Sequence, residues 1–357
     1  YSRVELLQKP FSYIVPVNNF GRVEQLWSRS GNLLADLDKT EMNTGLGDRR
    51  PSAPGVAGSG DVLQKRQIRW AKDTSLLTFL QREEQGDGDK KSNDQVLQWA
   101  PPFEDSDLSV LYQSASSISS HSFSQDYEML FVTESNPETG DDQNQITQYA
   151  IDLSDAGNKY LLAQYKSDDF YSNPGSLLMA SGKVPVVNRR GSSDVGNGVV
   201  QTSIDGQSVF FYGHDYNADP MQEGPKNFLD KVEILTGEKE RVYESSNQEQ
   251  YERIVSVLDI DQEQFVVSRE TPTGIPQSYL LANGRRTQLT ANIDYTPDLT
   301  NAPRRRFVVE RPDGFNFMVN VLLPSDYNPG TRLPAMFWFY PREYEDQESY
   351  DEAGRTY

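Results

Sequence analysis

The chain of 357 residues contains no cysteine, which removes disulfide scaffolds and cysteine-based metal sites together. Histidine is nearly absent too, with only His121 and His214. Basic residues are scarce: 34 Lys and Arg stand against 53 Asp and Glu, a net charge of −19. Nucleic-acid binding needs a basic footprint, so it is excluded as a partner class. The acidity is spread along the chain and reads as a solubility feature. No apolar run approaches the ~18 residues of a membrane span. Lack of cysteine fits an exported or a cytosolic protein, and a periplasmic or secreted location is slightly favoured over a cytoplasmic one. The first residue is Tyr1 rather than Met, so the expectation is that a signal peptide or a longer N-terminal region has been removed. The length allows two or three average domains or one large all-β repeat domain.

What is present is a repeat of short strands. Runs rich in Val, Ile, Phe, Tyr and Leu alternate with turn residues, and no long helical period occurs. Four segments set an Asp in a turn just before an apolar run: Asp73, Asp126, Asp205 and Asp261. An Asp there can accept from its own backbone two residues on and so start the turn into a buried strand. Each run is followed by strand, polar turn, strand, at residues 95–113, 146–165, 228–245 and 276–292. Residues 22–37 are a fifth copy that lacks a complete inner half, and Thr236, Gly237 and Glu238 make the clearest hairpin turn. An inner pair followed by an outer hairpin is the pattern of a four-stranded propeller blade. The expected fold is therefore an all-β propeller with at least five blades, a β-sandwich array being the alternative. The middle spacing is long because of a Gly/Ser-rich insertion at residues 187–198. Residues 38–66 and 83–94 are too polar to form core and are expected to be surface loops.

After Thr290 the pattern changes. Residues 292–303 are expected to form a linker, a strand is expected from Arg306 to Glu310, and Pro312, Asp313 and Gly314 make a turn. A second strand is expected from Phe317 to Leu323 and a third, continuously apolar, from Ala335 to Tyr340. An unbroken apolar run suits a strand buried on both faces of an α/β sheet. The run from Glu310 to Tyr344 resembles the start of the α/β-hydrolase domain of prolyl-oligopeptidase-type serine peptidases, in the glutamyl endopeptidase-like branch. Segments VLQWAPPF (96–103), YSNPGSLLM (171–179), NFLDKVEILTGE (227–238), YERIVSVLD (251–259) and SRETPTGIPQSYLL (268–281) are similar to that branch's propeller. The resemblance implies a propeller at 1–291, a linker at 292–303 and the first strands of a truncated hydrolase domain at 304–357.

The same resemblance implies a Ser-Asp-His triad on the hydrolase domain, with the serine in a nucleophile elbow. No G-x-S-x-G occurs; the nearest string, around Ser59, has neither the strand nor the helix that an elbow requires. His121 and His214 precede the hydrolase motif and are expected to be structural or surface residues. His214 beside Asp215 lacks further ligands at metal spacing. The triad is thus expected beyond this chain, and no metal or cofactor is called for. Resemblance assigns Tyr340 to the oxyanion hole, with packing on the sheet end as the alternative. Arg342 and Glu343 follow it, their default being an ion pair or domain contact, although Arg342 could hold an acidic substrate side chain. Arg253, Arg269 and Glu270 lie in motifs matching the family and are candidates for substrate or domain contacts. The expected function is the propeller portion of a serine peptidase, gating a peptide substrate's access to a catalytic domain that these residues lack. A stand-alone propeller serving as a binding or scaffold module is the rival.

Overall fold

The computed structural model describes residues 1–44, 65–71, 76–82, 93–135, 144–167, 169, 171–182, 198–216, 225–246, 250–271, 273–338, 347 and 350. The fold is all-β and built of propeller blades. The first sheet has three strands, β1 (Ser2–Leu7), β2 (Arg22–Trp27) and β3 (Leu33–Thr40). Four four-stranded sheets follow. The second sheet holds β4 (Arg66–Ala71), β5 (Leu76–Arg82), β6 (Asp94–Trp99) and β7 (Leu108–Ser114). The third holds β8 (Ser117–Phe123), β9 (Met129–Ser135), β10 (Gln145–Asp152) and β11 (Lys159–Lys166). The fourth holds β12 (Ser176–Leu177), β13 (Ser208–Asp215), β14 (Lys226–Glu233) and β15 (Lys239–Glu244). The fifth holds β16 (Tyr251–Asp259), β17 (Gln264–Thr271), β18 (Gly274–Ala282) and β19 (Arg285–Gln288). In every sheet the strands lie in chain order, and paired neighbours run antiparallel. A separate hairpin pairs β20 (Arg304–Glu310) with β21 (Asn316–Leu322).

Burial follows strand position. The second strands carry the apolar runs and are covered on both faces: Leu77, Phe79 and Leu80 in β5, and Val209, Phe210 and Phe211 in β13, are all buried. The fourth strands β15 and β19 are mostly exposed. Cores form where successive sheets face each other. Leu26 and Leu37 of the first sheet pack with Leu77, Phe79, Leu97 and Trp99 of the second. Ala71, Leu80 and Val96 meet Ile118, Leu130 and Val132 of the third. Leu178, Phe210 and Leu229 of the fourth meet Ile254, Phe265 and Val267 of the fifth. Each fully buried Leu or Phe contributes about 1.5–3 kcal/mol. The chain divides into two compact units, Tyr1–Gln164 with Asn197–Val200, and Tyr165–Gly196 with Gln201–Tyr357.

The turn motif takes the expected form at two sites. Asp126 Oδ1 accepts the Glu128 N–H at 3.1 Å, and Asp205 Oδ1 accepts the Gln207 N–H at 3.1 Å. At the fifth sheet the role moves by two residues: Asp259 Oδ1 accepts the Gln262 N–H at 2.9 Å, while Asp261 reaches the Ile204 N–H at 3.3 Å. Asp73 lies outside the described residues.

Three further expectations change. Lys39 and Thr40 belong to β3 rather than to a loop. Asp94 is no surface residue: it opens β6 fully buried, held by Arg66 at 2.7 Å and by the Ile118 N–H at 2.8 Å. Residues 335–338 form no strand, and Met336, Phe337 and Trp338 are exposed, since among the described residues no strand is paired with them.

Candidate functional site

Of the residues singled out in the sequence, Tyr340, Arg342, Glu343 and Ser59 lie outside the described residues. Arg253 and Arg269 fall on adjacent strands of the fifth sheet. Arg253 pairs in register with Ser268 and Glu252 with Arg269, so the two arginines occupy opposite faces. Arg269 is committed to structure. Its Nε lies 2.9 Å from Glu252 Oε2, and its guanidinium sits 5.5 Å from the Tyr279 ring centre.

Glu252 is the hub of that arrangement. Buried in β16, it also holds Arg286 at 2.8 Å and accepts the Tyr243 hydroxyl at 2.6 Å. A buried carboxylate is tolerable only when paired and hydrogen-bonded, and two guanidinium groups with a phenol meet that need. Burial, then the hydrogen bond and charge of Glu252, push the Tyr243 phenol up. The first unit repeats the device: Tyr112 donates to Glu134 Oε1 at 2.5 Å, and Lys159 lies 3.2 Å from the same oxygen. In both cases a tyrosine on the fourth strand of one sheet reaches a glutamate on the next sheet. The signal was present in sequence as two strand endings, LYQS and VYES, at residues 111–114 and 242–245.

The histidines are structural in surroundings. His121 is fully buried; its Nε2 lies 3.2 Å from Thr78 Oγ1 and its Nδ1 has no partner. Arg69 Nη1 donates to the His121 carbonyl at 2.9 Å, and Gln67 Nε2 donates to the Ser119 carbonyl. Burial first, then the charges of Arg69 and Arg66, pull the His121 imidazole down to about 3. His214 stacks on Tyr216, and burial lowers its pKa against the opposing pull of Asp215. Asp215 itself is taken by Arg241 at 2.7 Å. Among the described residues no three His, Asp or Glu side chains converge on a metal position.

The second unit holds a cavity of about 410 Å³ lined by Ser181, Gln201, Ser256, Asp259 and Asp261 among others. It offers hydroxyls and carboxylates but no histidine or lysine to activate a nucleophile.

No family model matches the chain. It is 25% identical over 368 residues to a probable chloroplastic glutamyl endopeptidase of Arabidopsis thaliana, an alignment covering 98% of this chain. The chain is thus similar to glutamyl endopeptidases. The corresponding protein of Oryza sativa subsp. japonica is 24% identical over 366 residues. The chain spans 36% of the length of each of these relatives. Among solved structures, a putative dipeptidyl aminopeptidase IV from Bacteroides ovatus aligns with 88% of this chain and 56% of its own, at 10% identity and a TM-score of 0.43. The β-propeller domain of the Trilobed protease from Pyrococcus furiosus aligns with 86% of this chain and 77% of its own, at 10% identity and a TM-score of 0.36.

Proposed function

We propose that this chain is the access-controlling propeller portion of a serine peptidase of the glutamyl endopeptidase type. In this reading residues 1–291 are the propeller, 292–303 the linker and 304–357 the first strands of an α/β-hydrolase domain whose Ser-Asp-His triad lies outside these residues. The observation that carries it is the likeness to glutamyl endopeptidases along 98% of the chain. The hairpin of β20 and β21 with the exposed Met336, Phe337 and Trp338 supports it, being apolar surface suited to a sheet interior.

The chemistry would be acyl transfer through a serine ester, with the histidine moving the proton and no metal or cofactor called for. Tyr340 would donate its phenol O–H to the oxyanion that develops on the substrate carbonyl. One such donor in a dry site is worth about 10²–10³ in kcat. Arg342 would contact the substrate, with Arg253 on the propeller side as a further substrate contact. The test is made on the longer parent protein. It is expected to label with a fluorophosphonate, to cleave a short Glu-containing chromogenic peptide and to spare a folded globular protein. A Tyr340→Phe variant should lower kcat about 10²–10³-fold with little change in KM. Absence of labelling and of cleavage would overturn the proposal.

A further inference from the structure

The first strand of the second sheet contains a bulge that turns two arginines the same way. In β4, Arg66 pairs with Leu80 and Arg69 with Thr78, so one residue of β4 is extra, and Gln67 at the bulge has a left-handed φ of 51°. Leu80 and Thr78 lie two apart on β5 and share a face, and their cross-strand partners share it with them. Thr78 meets His121 of the third sheet, and Leu80 packs with Ile118 and Val132 of that sheet. Both arginines are therefore turned toward the third sheet. Without the extra residue, Arg69 would fall on the opposite face. Gln67 is fixed in this conformation by its own side chain, which donates to the Ser119 carbonyl.

The carboxylates of this seam are already engaged. Asp94 is shared by Arg66 at 2.7 Å and Arg82 at 3.5 Å. Glu134 is held by Lys159 at 3.2 Å and by the Tyr112 hydroxyl. Arg69 has only neutral oxygens: the His121 carbonyl at 2.9 Å, Gln67 Oε1 at 3.4 Å and Ser122 Oγ at 3.5 Å. Among the described residues no carboxylate pairs with it, whereas Arg269, also half-buried, has Glu252 at 2.9 Å. A charge drawn out of water needs a partner, and here burial lowers the guanidinium's pKa with no anion to offset it. Gly198, at a φ of 74°, lets backbone lie close to Arg69: a Cβ there would stand 3.1 Å from Cδ and 3.2 Å from Nη1. Nη1 is thus occupied, while Nε has no acceptor among the described residues and Nη2 has only the long contact to Gln67. The Nε–Nη2 edge carries two parallel N–H groups, the fork that a carboxylate meets with both oxygens.

We propose that the Nε–Nη2 edge of Arg69 is a carboxylate-binding site, flanked by Gln67 and Ser122. The ligand is a monoanion, because one uncompensated cation matches one negative charge and the carboxylates of Asp94 and Glu134 disfavour a second. Binding displaces the weak contact to Gln67 Oε1 and leaves Nη1 on the His121 carbonyl. A free small acid and a glutamate side chain in a peptide present the same group to this edge. The site does not depend on the peptidase reading.

Acetate and an end-capped peptide with a single glutamate, each titrated into the 357-residue chain at an ionic strength held constant with sodium chloride, test this by amide NMR. The resonances of Gln67, Arg69 and Ser122 should shift saturably, and that of Arg269, whose guanidinium has Glu252, should not. The same peptide with glutamine in place of glutamate should shift none of them. Arg69→Gln keeps a donor for the His121 carbonyl but loses the charge, and should weaken binding about tenfold or more. Arg69→Lys keeps the charge without the fork and should weaken it about three- to tenfold. Should a variant fail to fold, saturation at the three amides of the native chain decides alone. Saturation with acetate shows that a free small acid suffices, and saturation with the peptide alone assigns the site to a peptide-borne carboxylate. No saturable shift from either ligand, or shifts that Arg69→Gln leaves unchanged, overturns the site.

Discussion

His121 should make the first unit acid-sensitive by an amount the structure sets. The imidazole is fully buried between the second and third sheets, with Thr78 at 3.2 Å as its polar neighbour and Arg69 and Arg66 as the nearby charges. The carboxylate that pairs with Arg66, Asp94, also accepts the Ile118 N–H. A proton on His121 would therefore add a cation to a dry, cationic seam. That is why its pKa falls from 6.5 to about 3. The sign follows from linkage. Above pH 6.5 the imidazole is neutral whether folded or unfolded, and the full stability is present. As the pH falls from 6.5 toward 3, the unfolded chain takes up a proton that the native state refuses, and stability declines by about 1.4 kcal/mol per pH unit. Between pH 7 and pH 5 the loss from this group is about 2 kcal/mol. His121→Gln removes the titration while keeping a group able to bond Thr78. Urea unfolding followed by tryptophan fluorescence at pH 7, 6 and 5, for both proteins, measures the difference. Trp70 and Trp99 belong to the same unit. The variant should be flatter than the native protein by that amount. Parallel pH profiles would refute the reasoning, whatever the absolute stabilities.

Two further substitutions probe the frame. Glu252→Gln leaves Arg269 and Arg286 without their shared carboxylate and should destabilise the second unit by about 3 kcal/mol. Tyr243→Phe should cost about 1.5–3 kcal/mol, and the double variant less than the sum, in urea titrations. Gly213→Ala places a Cβ 2.6 Å from Phe228 Cζ and 3.0 Å from Gly175 Cα. It should cost about 1–3 kcal/mol by overpacking, read as a lowered urea midpoint with an unchanged slope.

Local patterns carried the strands well. The apolar runs of β5, β9 and β13 sit where the sequence puts them, because a second strand covered on both faces needs no polar alternation. The turn at Gly237, with φ of 71°, closes β14 onto β15 as its Thr-Gly sequence indicates. Long-range pairing was not legible. Asp94 ends a polar stretch that composition assigns to a loop, yet Arg66, far away in sequence, and the Ile118 amide hold it in the interior. Glu252 and Glu134 read as ordinary strand charges until the tyrosines of the preceding sheets are seen against them. The segment 335–338 shows the opposite failure. Its continuous apolar composition suggests a strand, while strand formation requires pairing, and among the described residues nothing pairs with it.

The central claim is that these residues control access to a serine peptidase whose triad they do not contain. Fluorophosphonate labelling and hydrolysis of a Glu-containing chromogenic peptide, run side by side on residues 1–357 and on the longer parent protein, test it most directly. The account predicts labelling and cleavage by the parent and neither by residues 1–357. Labelling of the 357-residue chain, with turnover abolished by His121→Gln or His214→Gln, would contradict it.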